Sequence, residues 1–435
     1  MRWRTCVLVA CVSAGCARAE APPGGASNAS NASNASNASN ASQAARATGA
    51  RAPASGQVGL AAASAPASAA ARDAGGAARG DARPELRVGT SGDYAPFSVL
   101  APPGDAVRGF DAELAESMAN DLGLRLRWVI FRWSALAREL ADGRFDVAMA
   151  GITWQPARAV VGYMTGAVAR GGACLVGDPK ASRVAVNRGG ALEAWSHAHL
   201  SDRELVVVDE NRTLPELLAG ARVGAIVTDS FEQRAFRRPG WALACEPPIA
   251  RKVYWVGPGH ADLGPRIDGW LLAHRDAVQA AQERWFGERQ RLDDVSDLVD
   301  LLARRVAFMP LVGDLKSKRG LPIEDVERER KVLEAAAASA RARGVPEQPV
   351  RRLFELQIEL GKAVQGRMRE SSALDLEGQI RPALNELGAR IIGALARARE
   401  AHALPSCTLA DLEPLSPWLS EGERALLLAR LRAFD

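Results

Sequence analysis

The chain has 435 residues, of which 24% are charged, and its formal net charge is only +4. Because the sequence has no cationic run interleaved with aromatic residues, its charge does not indicate a nucleic-acid partner. No cysteine or histidine cluster has the spacing of metal ligands, so we expect neither a metal nor a cofactor.

The first sixteen residues have the pattern of an export signal. Arg2 and Arg4 form a short basic segment, and the apolar run that follows is too short to cross a bilayer. The sequence Ser-Ala-Gly-Cys that ends at Cys16 resembles a bacterial lipoprotein box, which implies that Cys16 is lipidated. Ordinary secretion is the alternative. We expect a periplasmic protein that a lipid anchor tethers to the membrane.

Residues 17–83 are expected to form a disordered linker. Ala, Ser, Gly, Asn and Pro dominate the segment, and the triplet Asn-Ala-Ser recurs without interruption from Asn28 to Ser42. A segment with so few large apolar side chains cannot bury enough surface to offset the entropy of ordering. We interpret the triplets as a low-complexity repeat rather than as glycosylation sites.

From residue 84 to residue 290, short apolar strands alternate with helices, as in an α/β fold. Two such sets with a return crossing form a two-lobed clamshell, whose ligand lies in the cleft between the lobes. In an oxidising compartment Cys174 and Cys245 could form a disulfide. Strands are predicted at 87–91, 124–131, 145–150, 183–186, 204–208 and 223–227, and helices at 110–122, 134–142, 214–219, 231–236 and 265–286.

Six short motifs of this domain follow one another in a familiar order. They are RVGTSGDYAPFS at 87–98, GFD at 109–111, RWS at 132–134, FDVAMAGIT at 145–153, NRGG at 187–190 and TDSFE at 228–232. Together they resemble the periplasmic amino-acid-binding proteins, and within that superfamily the periplasmic cyclohexadienyl dehydratases. The resemblance implies an enzyme that converts prephenate, or arogenate, into an aromatic product.

The chemistry of prephenate defines what such a site must do. Prephenate loses carbon dioxide and its ring hydroxyl together, so the enzyme must hold the side-chain carboxylate and protonate the hydroxyl. By the resemblance, Arg158 grips that carboxylate and Glu232 is the general acid, whose pKa burial would have to raise. The resemblance implies that three further residues bind substrate: Trp133, Tyr94 and Asp229. Asp229 would accept a hydrogen bond from the amino group of arogenate.

Other interpretations of the same residues stay open. Glu232 lies at a predicted helix start, where an acidic side chain also favours the helix dipole. Ala191 stands where the family often has a Thr that caps a helix and touches the ligand, so that contact is missing. A transport receptor or amino-acid sensor would have the same fold without any chemistry, and Glu232 is the residue that separates the two alternatives.

After residue 291 the strands stop, and apolar residues recur at helical spacing, so 292–435 is predicted to be an all-helical bundle. Helices are predicted at 293–316, 322–343, 346–370, 375–402 and 409–432. Cationic residues occur at positions of these helices that face the bundle, although any one of them alone would be assigned to the surface: Arg305, Lys316, Arg328, Lys362 and Arg390.

These cations and their neighbours are similar to the exported, all-helical chorismate mutases over residues 295–410. Chorismate rearranges in one concerted step, so the enzyme only holds the compact conformer and stabilises charge on the breaking ether oxygen. Arg305, Arg328 and Arg390 would clamp the two substrate carboxylates. Lys316 and Gln365 would donate to the ether oxygen, and the substrate hydroxyl would be bound by Glu329 or by the backbone of Asp325.

Two departures from the mutase pattern have consequences. Gly361 replaces a Ser or Thr, which removes a minor contact, and Cys407 lacks the cysteine near the carboxyl end with which it would pair, so we expect a free thiol. The product of the second domain is the substrate of the first, and a fusion raises its local concentration. The sequence thus predicts a bifunctional enzyme of phenylalanine biosynthesis, with an active mutase joined to a non-enzymatic binding domain as the alternative.

Overall fold

The computed structural model describes residues 82–101, 106–236 and 238–434. The predicted export signal, Cys16 and nearly all of the predicted linker lie outside the described residues. Within the described ranges, no helix is both long and apolar enough to cross a membrane. The same residues contain no group of three or more His, Cys, Asp or Glu side chains placed to hold a metal ion.

The first domain is built on two principal sheets, one for each lobe. Strands β5-β1-β6-β14-β7, with β8 paired to β14, form the first sheet, and β11-β10-β12-β9-β13 form the second, while β2-β3-β4 make a small additional sheet. The strands are β1 (Glu85–Thr90), β2 (Asp93–Tyr94), β3 (Ser98–Ala101), β4 (Ala106–Arg108), β5 (Arg125–Ile130), β6 (Val147–Thr153), β7 (Tyr163–Met164), β8 (Ala169–Gly171), β9 (Ala173–Gly177), β10 (Arg183–Asn187), β11 (Glu204–Val208), β12 (Ala225–Asp229), β13 (Leu243–Cys245) and β14 (Ala250–Val256).

The chain passes from the first sheet to the second after β8 and returns with β14. Strands β1, β5 and β6 run parallel, as do β10, β11 and β12, whereas β14 and β9 are antiparallel to their neighbours. The predicted two-lobed clamshell is therefore confirmed. Its helices are α1 (Phe110–Asp121), α2 (Leu136–Ala141), α3 (Pro156–Ala159), α4 (Ala191–His199), α5 (Thr213–Ala219), α6 (Gln233–Phe236), α7 (Leu263–Ala273) and α8 (Arg275–Phe286).

Strand β6 shows why an almost continuous apolar run forms the centre of the first lobe. Val147 and Met149 face one core cluster, while Ala148 and Ile152 face the other, so the strand is buried on both sides. Gly151 has a φ of +60°, and a Cβ there would lie 2.5 Å from the Tyr94 ring. Glycine thus lets the end of the strand meet the aromatic residues that line the cleft.

The cysteines behave as the sequence predicts. Cys174 in β9 and Cys245 in β13 form a disulfide between residues paired across the two strands. Cys407 is a buried free cysteine, and burial raises the pKa of its thiol to about 11, with the charge of Asp411 adding to the effect. The disulfide joins neighbouring strands of the second lobe and does not cross to the bundle.

The second domain is an all-helical bundle, as predicted. Two helices that the sequence predicts as continuous are each divided in two in the structure. One break lies at Pro310 in the bundle, and the other lies at His274 in the clamshell, between α7 and α8. Pro310 lies in the first turn of α10, where a missing N–H costs little, and so begins a helix after Phe308. The bundle helices are α9 (Asp294–Ala307), α10 (Met309–Lys318), α11 (Val326–Ala342), α12 (Glu347–Arg367), α13 (Arg381–Glu400) and α14 (Glu421–Arg432), with a π-helical turn at Leu376–Ile380 and a 3-10 turn at Ala410–Leu415.

The two domains share one apolar core. A single cluster of buried residues includes Trp154 and Trp255 of the clamshell together with Leu302 and Phe308 of the bundle. The buried carboxylate of Asp300 in α9 also accepts from two arginines of the clamshell, Arg170 at 3.2 Å and Arg251 at 3.0 Å. A core of this extent holds the domains in a fixed relation in the structure.

Candidate active sites

The cleft between the two lobes contains a cavity. Residues predicted from the sequence come from both sides of it, with Tyr94, Trp133 and Arg158 on the first lobe and Glu232 on the second. Ala191 also lines the cavity at the start of α4, where Gly190 offers no side chain to cap the helix. The complete lining is Tyr94, Trp133, Gly151, Thr153, Arg158, Asn187, Gly190, Ala191, Leu192, Asn211, Glu232 and Lys252.

Glu232 is almost completely buried, with 2% of its surface exposed. Its Oε2 accepts a hydrogen bond of 2.7 Å from Thr228 Oγ1, and its Oε1 accepts from Asn211 Nδ2. Burial raises the pKa of this carboxyl well above its ordinary value, and the negative charge of Asp229 raises it further. The environment therefore favours the protonated acid, which is the form that can donate a proton.

Arg158 is a buried cation that has no counter-ion among the described residues. Its Nη1 donates to the carbonyl of Thr153 at 2.9 Å and its Nη2 to the carbonyl of Gly189 in the other lobe at 3.5 Å. No carboxylate of the described residues lies within 4.0 Å of its guanidinium. Burial lowers the pKa of Arg158 to about 10, so the group is still charged at neutral pH. A buried charge of this kind calls for an anionic ligand.

Lys252 is a residue of the cleft that the sequence reasoning missed. Its Nζ donates to Tyr94 Oη at 2.8 Å, to Thr153 Oγ1 at 3.2 Å and to Asp229 Oδ2 at 2.8 Å, and so joins the two lobes. The signal that could have found it is a lysine inside the apolar strand ARKVYWV, because lysine is rarely buried without a partner.

The structure corrects the role predicted for Asp229, whose carboxylate does not line the cavity. Its Oδ2 is bound by the ammonium of Lys252, and its Oδ1 accepts from the backbone N–H groups of Phe231 at 3.0 Å and Glu232 at 2.9 Å. With these partners Asp229 is not available to bind the amino group of a ligand, and it instead positions the turn that carries Glu232.

Aromatic and amide side chains complete the cleft. Trp133 meets Tyr94 edge to face, with ring centroids 5.8 Å apart, and donates from Nε1 to Asp93 Oδ1 at 3.4 Å. Asn187 is buried, and its Nδ2 has no hydrogen-bond partner. A polar donor that is buried without a partner at the wall of a cavity is suited to a ligand contact.

The helical bundle contains a second cavity. The residues that the sequence predicts for it come from separate helices and converge there, with the exception of Arg390. Those that line the cavity are Arg305 of α9, Lys316 of α10, Asp325, Arg328 and Glu329 at the start of α11, and Gln365 of α12.

Three cations of this cavity lack a carboxylate within 4.0 Å among the described residues. Arg305 Nη1 donates to the carbonyl of Leu384 at 2.9 Å, Arg328 Nη2 to Asn385 Oδ1 at 2.7 Å, and Lys316 Nζ to the carbonyl of Ile323 at 2.6 Å. Burial lowers the pKa of Arg305 to about 10 and also lowers that of Lys316. The cavity therefore offers unneutralised positive charge to a multiply charged anion.

Other charges at the cavity are neutralised within the protein. Lys362, one of the cations predicted to face the bundle, lies 3.4 Å from Glu329 and 2.8 Å from Glu359 and is neutralised by them. Arg381, which the sequence reasoning did not select, lines the cavity and pairs with Asp325 at 3.1 Å. This pair holds the Asp325 carboxylate at the cavity wall.

Arg390 does not reach the mutase cavity, contrary to the prediction. Its Nη1 donates to the carbonyl of Met164 at 2.9 Å, its Nη2 lies 3.1 Å from Asp268, and its guanidinium stacks on the Tyr163 ring. Arg381 and Arg390 are nine residues apart in α13, or two and a half turns at about 3.6 residues per turn. They project from opposite sides of the helix, and only the side of Arg381 faces the cavity.

Two buried glutamines of α12 face the same cavity. Gln365 Nε2 makes one weak contact with Met309 Sδ at 3.6 Å, and its Oε1 has no partner. Gln357, two turns earlier, has no partner for either amide atom. Between them lies Gly361, where the nearest atom to an added Cβ would be Met309 Sδ at 3.1 Å. Gln357 is thus a second polar group available to a ligand.

Comparison with known proteins divides the chain at the same place. Residues 86–288 match the model of bacterial extracellular solute-binding proteins, family 3, and residues 289–366 match chorismate mutase type II. The chain belongs to family 3 of the bacterial extracellular solute-binding proteins, and a chorismate mutase type II domain follows that region.

Relatives of the first domain include an enzyme and transport proteins. The cyclohexadienyl dehydratase of Pseudomonas aeruginosa is 30% identical over 225 residues, covering 47% of this chain and 83% of that protein. The L-cystine-binding protein of Escherichia coli is 24% identical over 223 residues, covering 47% and 84%. The crystal structure of an ancestral amino-acid-binding protein, a precursor of cyclohexadienyl dehydratase, is 24% identical, covers 46% of this chain and 95% of that chain, and gives a TM-score of 0.43.

Proposed function

We propose that this chain is a bifunctional exported enzyme in which the bundle converts chorismate to prephenate and the clamshell converts prephenate to phenylpyruvate, carbon dioxide and water. The observation that carries the proposal is the cleft, where the buried acid Glu232 and the buried, unpaired cation Arg158 face one cavity. The relationship to a cyclohexadienyl dehydratase and the presence of a chorismate mutase domain support the same order of reactions.

In the bundle, the work of the enzyme is to bind a compact dianion. The two carboxylates of chorismate would be held by Arg305 and Arg328, which have no internal counter-ion, while Lys316 and Gln365 donate to the ether oxygen. As the C–O bond breaks and a new C–C bond forms, negative charge grows on that oxygen and these donors stabilise it. No proton is transferred, so no side chain has to change its protonation state.

In the cleft, the work of the enzyme is to deliver one proton. Arg158 holds the side-chain carboxylate of prephenate, and Glu232 gives its proton to the ring hydroxyl, which leaves as water. The bond between the ring and its carboxylate breaks at the same time, and its electron pair completes the aromatic ring as carbon dioxide departs. Glu232 regains a proton from solvent before the next cycle.

The arrangement of Lys252 supports an enzyme over a receptor for amino acids. A receptor needs an anionic group for the ammonium of its ligand, and Asp229 would be the candidate, but Lys252 occupies it at 2.8 Å. The same pair neutralises Lys252, so that this cation does not stabilise the ring carboxylate that has to leave. A binding domain without turnover is therefore the weaker alternative.

Export and lipidation at Cys16 belong to the same proposal. Family 3 consists of extracellular solute-binding proteins, and the disulfide between Cys174 and Cys245 suits an oxidising compartment. We expect metabolic labelling with a radioactive fatty acid to mark the wild-type protein in cells, and the variant Cys16→Ser to remain unlabelled. Equal labelling of both proteins would show that Cys16 is not the lipidated residue.

The test of the enzymatic proposal supplies each substrate separately to the purified protein. We expect phenylpyruvate to form from chorismate and also from prephenate, with prephenate as a transient in the first reaction. If chorismate is consumed and prephenate accumulates without further change, the first domain is not a prephenate dehydratase. Arogenate would then be the next substrate to supply.

A further inference from the structure

A third cavity, larger than the other two, lies at the junction of the two domains. Its walls come from Tyr163 and helix α7 of the clamshell and from helices α9 and α13 of the bundle. It shares no lining residue with the cleft or with the mutase cavity. Neither of the proposed reactions makes use of it, and we refer to it as the junction cavity.

Arg304 gives the junction cavity an unneutralised positive charge. Its side chain lines the cavity, although only 1% of the residue is exposed. Nη1 donates to the carbonyl of Thr165 at 2.7 Å, but Nε and Nη2 have no hydrogen-bond partner. No carboxylate of the described part of the chain lies within 4.0 Å of this guanidinium. Buried donors of this kind are costly unless a ligand satisfies them.

Most of the other charged groups around the junction cavity are already paired. Arg390 is bound to Asp268 at 3.1 Å, and Arg275 lies 2.7 Å from Asp294. Additional pairs neutralise the remaining acidic groups of the walls: Asp297 with Arg275, Asp300 with Arg170 and Arg251, and Glu386 with Arg390. Among the described residues, two cations of the walls have no carboxylate partner, Arg304 and Arg343, which donates to Ser339 instead, so the cavity favours an anion.

Two glycines keep the walls open. Gly269 lies inside α7 and Gly393 inside α13, and glycine is the weakest helix former after proline. A Cβ added at Gly269 would have no atom within 4 Å, and one at Gly393 would meet only the tips of Arg343 and Arg397, at 3.8 and 4.0 Å. Larger residues would fit at both positions and would strengthen both helices, yet both positions are glycine.

We propose that the junction cavity binds a small carboxylate that carries an apolar side chain, of the 2-oxo-acid or amino-acid type. Its carboxylate accepts from the free Nε and Nη2 of Arg304, and its side chain packs on the apolar residues of the walls. Those residues are Leu271, Leu272, Val278 and Leu301. A carboxylate supplies the two acceptors that a guanidinium fork requires.

The position of Arg304 connects this site to the proposed mutase. Arg304 and Arg305 are consecutive residues of α9, and Arg305 lines the mutase cavity while Arg304 donates to the clamshell. A ligand on Arg304 therefore acts on the helix that holds a carboxylate clamp of the mutase. The effect of such a ligand on mutase activity rests on the proposed function, whereas binding of the ligand to Arg304 does not.

The experiment measures binding of phenylpyruvate and of L-phenylalanine by calorimetry to the chain without its export signal. The variant Arg158→Ala is used throughout, so that the cleft does not contribute. We expect one molecule of one of the two probes to bind per chain, and the probe that binds identifies the 2-oxo acid or the amino acid. If neither binds, the proposal is wrong.

Variants at glycines locate the site. Gly269→Leu places an isobutyl side chain in the junction cavity, and we expect it to raise the dissociation constant at least tenfold. Gly366→Leu is the matched control, because Gly366 is also helical with no atom within 4 Å of an added Cβ but lines none of the three cavities. Equal affinity of the Gly269→Leu variant and its control would overturn the proposal.

A charge variant and a kinetic readout separate this proposal from the proposed function. Arg304→Met keeps most of the side-chain volume, and we expect it to abolish binding of the probe while a circular-dichroism spectrum shows that the chain is folded. Turnover of chorismate is measured with and without the probe on the same preparations. A chain that binds the probe but turns over no chorismate retains the junction site and refutes the mutase.

Discussion

The cleft and the bundle cavity solve opposite electrostatic problems. In the cleft, Arg158, which has no carboxylate partner among the described residues, is combined with a carboxyl, Glu232, whose pKa burial raises. In the bundle, three cations that have no carboxylate partner among the described residues face one cavity, and the neutral amide of Gln365 also lines it. The first arrangement suits a reaction that consumes a proton, and the second suits a rearrangement that only redistributes charge.

The difference teaches that burial has two uses in one molecule. Removing Glu232 from water favours its protonated form, the form that can donate a proton, since desolvation disfavours the charged carboxylate. Removing Arg305 from water makes it a better clamp, because an arginine stays charged and its attraction for a carboxylate grows as the dielectric falls. Each site can therefore be disabled without touching the other.

The largest effect is expected for Glu232→Gln. An amide of nearly the same shape fits beside Thr228 and Asn211 but has no proton to give, so turnover of prephenate should fall by about 10²–10⁴. The measurement is phenylpyruvate formed from prephenate. Mutase activity in the same variant should be unchanged, and a parallel loss of both activities would show that the effect is structural.

Arg328→Ala should disable the site in the bundle and leave the site in the cleft intact. Removing one clamp from the dianion site is expected to lower kcat/KM for chorismate on the order of 10²–10³, and the rate from prephenate should stay the same. The measurement is the initial rate of chorismate consumption. Arg330→Ala is a matched control on the same helix, because Arg330 is exposed and pairs with Glu327 and Glu334.

The pH dependence of the two activities should differ. The clamshell needs protonated Glu232, so its rate should be highest below the raised pKa of that carboxyl and fall about tenfold per pH unit above it. The bundle needs protonated Lys316, whose pKa burial lowers, so its rate should be level at acidic pH and fall as the solution becomes alkaline. Separate pH profiles for the two substrates check this, and superimposable profiles would contradict it.

The smallest effect is expected for Gln357→Leu. Both amide atoms of Gln357 are buried without a partner, so the apolar replacement should leave the free energy of unfolding unchanged or raise it. If the amide contacts the substrate, KM for chorismate should rise about tenfold, the equivalent of one hydrogen bond. Denaturant titration and steady-state kinetics on the same preparation distinguish a ligand contact from a structural role.

Much of the first site was predictable because its residues lie in recognisable local motifs. Four residues of the cleft each follow or end a strand or turn that can be recognised in the sequence: Tyr94, Trp133, Arg158 and Glu232. Lys252 was missed because β14 is a return strand from the other lobe, and its neighbours in space, Tyr94 and Asp229, are distant in sequence. The ion pair that withdraws Asp229 from the cavity could not be predicted for the same reason.

The bundle shows a different limit. Helical spacing predicts which residues are helical, but the choice between Arg381 and Arg390 depends on which side of α13 faces the cavity and which side the clamshell covers. That contact joins two domains, and periodicity within one helix carries no information about it. The break of the first predicted bundle helix was signalled by Pro310, which the long apolar pattern concealed.

The most direct test of two separate sites with consecutive chemistry is complementation between variants. Purified Glu232→Gln and Arg328→Ala proteins are incubated with chorismate, each alone and then mixed, and phenylpyruvate is followed with time. We expect little phenylpyruvate from either variant alone and restored conversion in the mixture, since prephenate released by the first is consumed by the second. A mixture as inactive as its components would contradict the account.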